Sequence, residues 1–211
     1  MTVTPDTFTS DKITFSDPKK NSQEKYVSKI MYESGELLIQ TPKMSCKIDK
    51  ENRTLSLNVD DKSFYDFLGV FDEHIIQSLF ASSKTWFNQE LTEQQCKEIY
   101  KRSIESSFTM GSDSNMNIKV KNAHIYKKKN DKCEIEDLNT NEEVICLLRC
   151  SHLIFYRTYC VPYWDAIQIK IKDPKVSLNE YRIKDLEEDE ISISITEDEI
   201  DSVPELNIIK D

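Results

Sequence analysis

The residues of this chain that could do covalent or metal chemistry are few and poorly spaced for it. His74 falls in an amphipathic helical pattern, His124 in an alternating strand and His152 beside an apolar run, and none belongs to a nucleophile motif. Cys146, Cys150 and His152 share strand parity, which at first sight suggests zinc. Four residues of strand, however, span about 13 Å, whereas two thiolates on one zinc lie within about 4 Å. Cys46, Cys96, Cys133, Cys146, Cys150 and Cys160 follow no disulfide framework and read as reduced structural thiols. The paired carboxylates Asp60-Asp61 and Asp72-Glu73 are accounted for by helix capping and solvation. Three glycines in 211 residues leave no glycine-rich phosphate loop. The expectation is a protein that is not an enzyme, with no catalytic set, cofactor or metal.

A stronger signal is the interleaving of cations with aromatics in the second half of the chain. Lys119, Lys121, Lys127, Lys128, Lys129 and Lys132 fall within sixteen residues, with Tyr126 among them. Counted by alternation, Lys119 and Lys121 share the wet face of a strand. The same count in the last strand puts Trp164, Gln168, Lys170 and Lys172 on one face and Ile167, Ile169 and Ile171 on the other. Tyr156 and Arg157 lie nearby. A base stacked on such an indole, with its backbone met by lysines, gives about 1–3 kcal/mol per base. The plainer alternative is an ordinary solvated face, with Trp164 closing one end of the core.

These residues need a scaffold, and the patterning predicts a mainly β (α+β) one. Residues 1–25 are polar and read as a flexible leader. Residues 26–183 read as a single β-rich domain of six to eight strands, built as an antiparallel barrel or sandwich with a two-helix insertion. Leu55, Leu57 and Val59 alternate cleanly in a strand. Phe64, Leu68, Phe71, Ile75 and Leu79 mark a helix over 61–80. Thr92-Glu-Gln-Gln95 has the form of a capping box opening a second helix over 92–106. Trp86 and Phe87 fall between the helices as exposed aromatics. One strand is expected from Ile118 to Tyr126, and Pro162 is expected to break the apolar run from Val144 to Cys160. No stretch approaches the roughly 20 apolar residues of a membrane span, and the start MTVTPDTFTSDK lacks a secretory layout, so a soluble, unexported chain is expected.

Residues 184–211 read as a disordered acidic tail. From Asp185 onward there are eleven carboxylates and one cation, Lys210, which is the whole formal net charge of −10; residues 1–184 hold 27 basic and 27 acidic side chains. The low overall charge therefore does not exclude a phosphate-bearing partner for the body. Two acidic blocks, Asp185, Glu187, Glu188, Asp189, Glu190 and then Glu197, Asp198, Glu199, Asp201, flank the alternating Ile191-Ser-Ile-Ser-Ile-Thr196. That arrangement suits a partner hook.

Several short motifs resemble those of a family of proteins encoded by nucleocytoplasmic large DNA viruses. They are Ser28-Lys-Ile-Met-Tyr32, Leu38-Ile-Gln-Thr-Pro-Lys-Met44, Ser63-Phe-Tyr-Asp-Phe-Leu68, Asp72-Glu-His-Ile-Ile76, Trp86-Phe87, Ile154 and Trp164-Asp-Ala-Ile-Gln168. Proteins of this type resemble phage single-stranded-DNA-binding proteins, which pair an OB-fold with an acidic C-terminal tail. The phage tail ends on an aromatic residue, whereas this chain ends Ile208-Ile209-Lys210-Asp211. The resemblance implies an OB-like barrel that binds single-stranded DNA, with RNA as a second candidate, in viral replication, recombination or repair. It implies recruitment of viral replication proteins through the tail, a place at replication sites in the host cytoplasm or nucleus, and no membrane; a homo-oligomer and packaging in the virion stay open. Carried over, the DNA-binding role falls on Lys119, Lys121, Lys127, Lys128, Lys129, Trp164 and Lys170. The rival is a virion or assembly protein that makes protein–protein contacts through the same sheet and tail.

Overall fold

The computed structural model describes residues 2–104, 114–128 and 131–172. All belong to the first of the chain's two units, Met1–Val176. The expected acidic tail and the lysine at 129 lie outside the described residues.

Five strands close a barrel. They are β6 (Met44–Asp49), β7 (Thr54–Asn58), β8 (Asn115–Lys119), β11 (Glu143–Phe155) and β12 (Cys160–Ile171). Around the ring β6 pairs β7, β7 pairs β8, β8 pairs β12, β12 pairs β11 and β11 returns to β6. Every pairing is antiparallel except β8 with β12 at Lys119 and Asp165. Counted along the chain, the ring runs first–second–third–fifth–fourth, the connectivity of an OB-like barrel. Closure leaves no open edge among these five strands. Leu55, Leu57, Met116, Ile118, Val144, Cys146, Leu148 and Ile169 fill the inside at 0–1% exposure. The clean alternation of Thr54–Asn58 thus has its apolar half in the core, as the sequence predicts.

Seven further strands extend the ring, giving twelve among the described residues rather than six to eight. β9 (His124–Lys128) joins β12 in parallel, and β10 (Asp131–Cys133) pairs β9. β4 (Tyr26–Tyr32) and β5 (Leu37–Gln40) both pair β11. β1 (Thr2–Val3) pairs β5, while β2 (Ile13–Phe15) and β3 (Lys19–Lys20) pair β4. Residues 2–25, expected as a flexible leader, are therefore an ordered band. Their few apolar side chains suffice because Val3 and Ile13 reach the core, and Phe8 packs edge-on to Phe67 at 4.7 Å.

Helix α1 (Lys62–Phe87) is capped by Asp61, whose carboxylate accepts from the Phe64 amide at 2.9 Å. It runs past Phe80 because the buried stripe continues through Ser83 to the half-buried Trp86 and Phe87, until Asn88 takes a left-handed conformation. Trp86 and Phe87 are thus part of the helix, not of an exposed loop. Helix α2 (Glu93–Ile99) opens on the expected capping box, with Thr92 and Gln95 bonded both ways. It ends before 106 because Tyr100 turns to bridge Cys160, and Lys101 donates its amide to the Cys160 carbonyl at 2.8 Å.

The expected strand from Ile118 to Tyr126 is two, because β8 and β9 meet β12 at different heights and the chain bends between them at Lys121 and Asn122. Pro162 sits inside β12, opposite Leu153, where β11 is the strand's only strand neighbour among the described residues; β8 and β9 join further on.

Candidate nucleic-acid interface

The long β11–β12 ribbon decides where the candidate side chains go, and two irregularities in its pairing overturn the parity count. Leu147 faces Gln168 but Leu148 faces Ala166, so Ile167 is an extra residue in β12. Trp164 and Ala166 therefore point inward, Ile169 and Ile171 point inward after the bulge, and Lys170 points out. Trp164 is 4% exposed and lies 5.1 Å from the Phe71 ring. Its indole N–H donates to Ser103 Oγ at 3.1 Å. Ser103 Oγ donates in turn to Asp72, which also accepts from the Tyr100 hydroxyl and the Ser103 amide. Trp164 closes the core and is no stacking surface. Asp72, read as a solvated helix residue, is buried, and its pKa is raised by that burial against the pull of its hydrogen bonds.

A second extra residue, Ser151, turns His152 away from Cys146 and Cys150, and its ring stacks on Tyr163 at 4.9 Å. Burial pushes the Cys46 thiol up to about 11 and Cys160 up to about 12. Among the described residues no group of three His, Cys, Asp or Glu is placed to hold a metal.

The predicted residues fall in three places, with Lys121 and Lys127 apart from all of them. Tyr126, Lys128 and Lys170 do come together, because β9 aligns Tyr126 with Lys170 of β12. With Gln40, Leu147 and Gln168 they line a cleft of about 550 Å³ on the outer face of the sheet. Lys119 stands elsewhere, on the β7–β8 face, where its ammonium donates to Thr54 Oγ1 at 2.8 Å beside Lys47, Ser56 and Asn117. Lys121 is exposed beyond the end of β8. Lys127 is paired with Asp137 at 3.6 Å.

Tyr156 and Arg157 lie at the third place, the tip of the β11–β12 hairpin, and here the structure adds partners. Tyr156 and Tyr159 stack at 4.6 Å and 20°, yet are 37% and 36% exposed. Lys25 stands over the Tyr156 ring at 5.2 Å, and Lys101 over Tyr159 at 6.0 Å. Alongside, Lys20 covers Tyr26, which is 50% exposed, at 5.7 Å. Asn21 fixes the turn that delivers Lys25, its side-chain oxygen accepting from the Gln23 and Lys25 amides at 2.9 and 3.0 Å. None of Lys20, Lys25, Lys101 and Arg157 forms an ion pair among the described residues. The arrangement is an exposed aromatic platform edged by unneutralised cations. Chemically it suits a planar base and its phosphate.

This platform is the loop between the fourth and fifth barrel strands, and α1 and α2 fall between the second and third. A family model described as "Family of unknown function (DUF5871)" matches residues 44–185, more than half of the chain. The chain belongs to DUF5871. No curated protein matches this DUF5871 member. Among solved structures it is similar to the single-stranded DNA-binding protein from bacteriophage Enc34, with 11% identity over 81% of this chain and 96% of that one, at a TM-score of 0.47. The C-terminal truncation of the phage protein gives 10%, 78%, 97% and 0.46. Its complex with ssDNA gives 10%, 74%, 94% and 0.44.

Sequence reasoning missed Lys101, which follows the short second helix, and it missed the group Lys20, Lys25 and Tyr26. The signal of that group was present as cations beside an aromatic in Lys19-Lys20 and Lys25-Tyr26, but it lay at the edge of a segment read as a leader.

Proposed function

We propose that this protein binds single-stranded DNA without catalysing a reaction on it, using the hairpin tip as its principal contact. The observation that carries the reading is the pair of stacked, exposed tyrosines with lysines over their faces. Its position supports it further, since the loop between strands four and five of an OB barrel, with the face of strands two and three, is where oligonucleotides bind. Stacking and phosphate contacts read neither base identity nor the 2′-hydroxyl, so binding is sequence-tolerant and extends to RNA. In the organism the role is coating exposed strands during replication, recombination or repair of a large DNA virus, at replication sites in the host. The carboxylates from Asp185 onward weaken binding by competing with phosphate and recruit replication partners.

The test is fluorescence anisotropy of a labelled, unstructured oligonucleotide titrated with the full chain at low salt. Binding that weakens steeply with added salt is expected, and removal of residues 185–211 strengthens it. Absence of binding by both forms at low salt overturns the reading.

A further inference from the structure

Beneath the tyrosine platform is a pocket of about 620 Å³, between the β3–β4 turn, the C-terminal end of α1 and the hairpin. Its wall is aromatic: Trp86, Phe87 and Phe155 meet edge to face, Trp86 to Phe155 at 5.8 Å and 82°, Phe87 to Phe155 at 5.8 Å and 71°. Phe15 braces Trp86 from another side at 6.0 Å. Rings locked by one another form a prebuilt slot rather than one that must be ordered on binding. Lys25 and Arg157 stand among the lining residues, and Glu24 is the one carboxylate there among the described residues, so these cations are in excess. The dimensions are those of a small-ligand site, apolar with a few polar groups.

We propose that this pocket takes one base of the bound strand, turned out of its stack against Trp86, with the adjoining phosphate on Lys25 and Arg157. The proposal rests on the single-strand reading above and names what its site does: the platform holds the strand, and the pocket anchors it at one nucleotide. An aromatic slot with cations in its lining fits a nucleotide better than a peptide carboxylate or a lipid chain, because it offers a ring face and a phosphate contact within one cavity.

The test uses the full chain and three probes: an unstructured oligonucleotide, the same backbone with abasic residues throughout, and adenosine monophosphate. Of the two tryptophans, Trp164 is sealed in the core and Trp86 lines the pocket, so a change in emission on adding a probe reports the pocket. The oligonucleotide is expected to quench emission, and Trp86→Phe to abolish the quench while lowering affinity less than about threefold, since Phe still stacks. Trp86→Ala is expected to lower affinity about tenfold, and the abasic strand, which loses the platform's stacking as well, to bind more weakly still. Binding of the normal strand with no quench, and as tightly by Trp86→Ala as by the parent, overturns the pocket and leaves the single-strand reading standing. Quenching by the monophosphate with none by the strand also overturns it, in favour of a free nucleotide as the occupant. No binding of either strand removes both readings.

Discussion

The middle and the tip of the β11–β12 ribbon hold the same kinds of residue and put them to opposite uses. At the tip, Tyr156 and Tyr159 stack in the open under Lys25 and Lys101. About five residues further along β12, Trp164 is enclosed by Phe71 and tied through Ser103 to a buried carboxylate. Aromatic type and nearby lysines do not distinguish the two places. What separates them is what packs on each: α1 lays Phe71 against Trp164, whereas lysines stand over the exposed tip tyrosines. The extra residue Ile167 then turns Trp164 and Lys170 to opposite sides of the sheet.

The largest effect that would break this contrast is on stability. Trp164→Ala is expected to cost about 3–5 kcal/mol, since it opens a cavity against Phe71 and leaves the Ser103 hydroxyl without its donor. Denaturant unfolding followed by circular dichroism measures it. A cost under about 1 kcal/mol, with weakened oligonucleotide binding, would return Trp164 to the interface. Next in size, Tyr156→Ala is expected to weaken oligonucleotide binding by about 1–3 kcal/mol while changing stability by no more than about 1 kcal/mol. If the variant binds as well as the parent, the tip is not the contact.

How much of this was legible in the sequence follows the same division. Local alternation gave the barrel strand at Thr54–Asn58, and the 3.6-residue stripe with its caps gave both helices. Ring closure was out of reach, because β6 meets β11 across nearly a hundred residues and no local pattern encodes that pairing. Parity held on the C-terminal side of Ile167 and was inverted before it: the lysine at 170 was read correctly as exposed, the tryptophan six residues earlier was not. Tyr156 and Arg157 were legible by type, but Lys25, which stands over Tyr156 and lines the pocket with Arg157, lies in residues 1–25, which read as a leader when seen alone.

The contrast can be sharpened by salt. Lys25, Lys101 and Arg157 at the tip are unpaired among the described residues, whereas Lys127 faces Asp137 at 3.6 Å. Arg157→Gln is therefore expected to reduce the slope of log affinity against log salt by about 0.7, the share of one phosphate contact on a single strand. Lys127→Gln is expected to leave the slope nearly unchanged, because its charge is already partly met. Binding isotherms at four salt concentrations suffice, and equal effects from the two variants would mean that the tip has no privileged role.

The smallest effect tests the core side of the contrast through pH. Asp72 carries the Tyr100 and Ser103 hydrogen bonds that lead to Trp164, and burial raises its pKa above the ordinary carboxylate value of 3.8. A carboxyl whose folded pKa is raised holds its proton more tightly in the folded than in the unfolded state. Its contribution to stability is then complete below the unfolded pKa and is lost as pH rises through the folded one. The exposed carboxylates Asp49 and Glu93, lowered by their hydrogen bonds, act in the opposite sense and would mask this in the parent alone. The quantity to measure is therefore the difference in unfolding free energy between the parent and Asp72→Asn across pH 3 to 7. Relative to the variant, the parent is expected to lose stability as pH rises through the lower part of that range, with Tyr156→Ala showing no such difference from the parent. A difference that is flat, or that rises with pH, would mean that Asp72 is ionised at little cost, and that the network behind Trp164 is wetter than the tip's counterpart in the core should be.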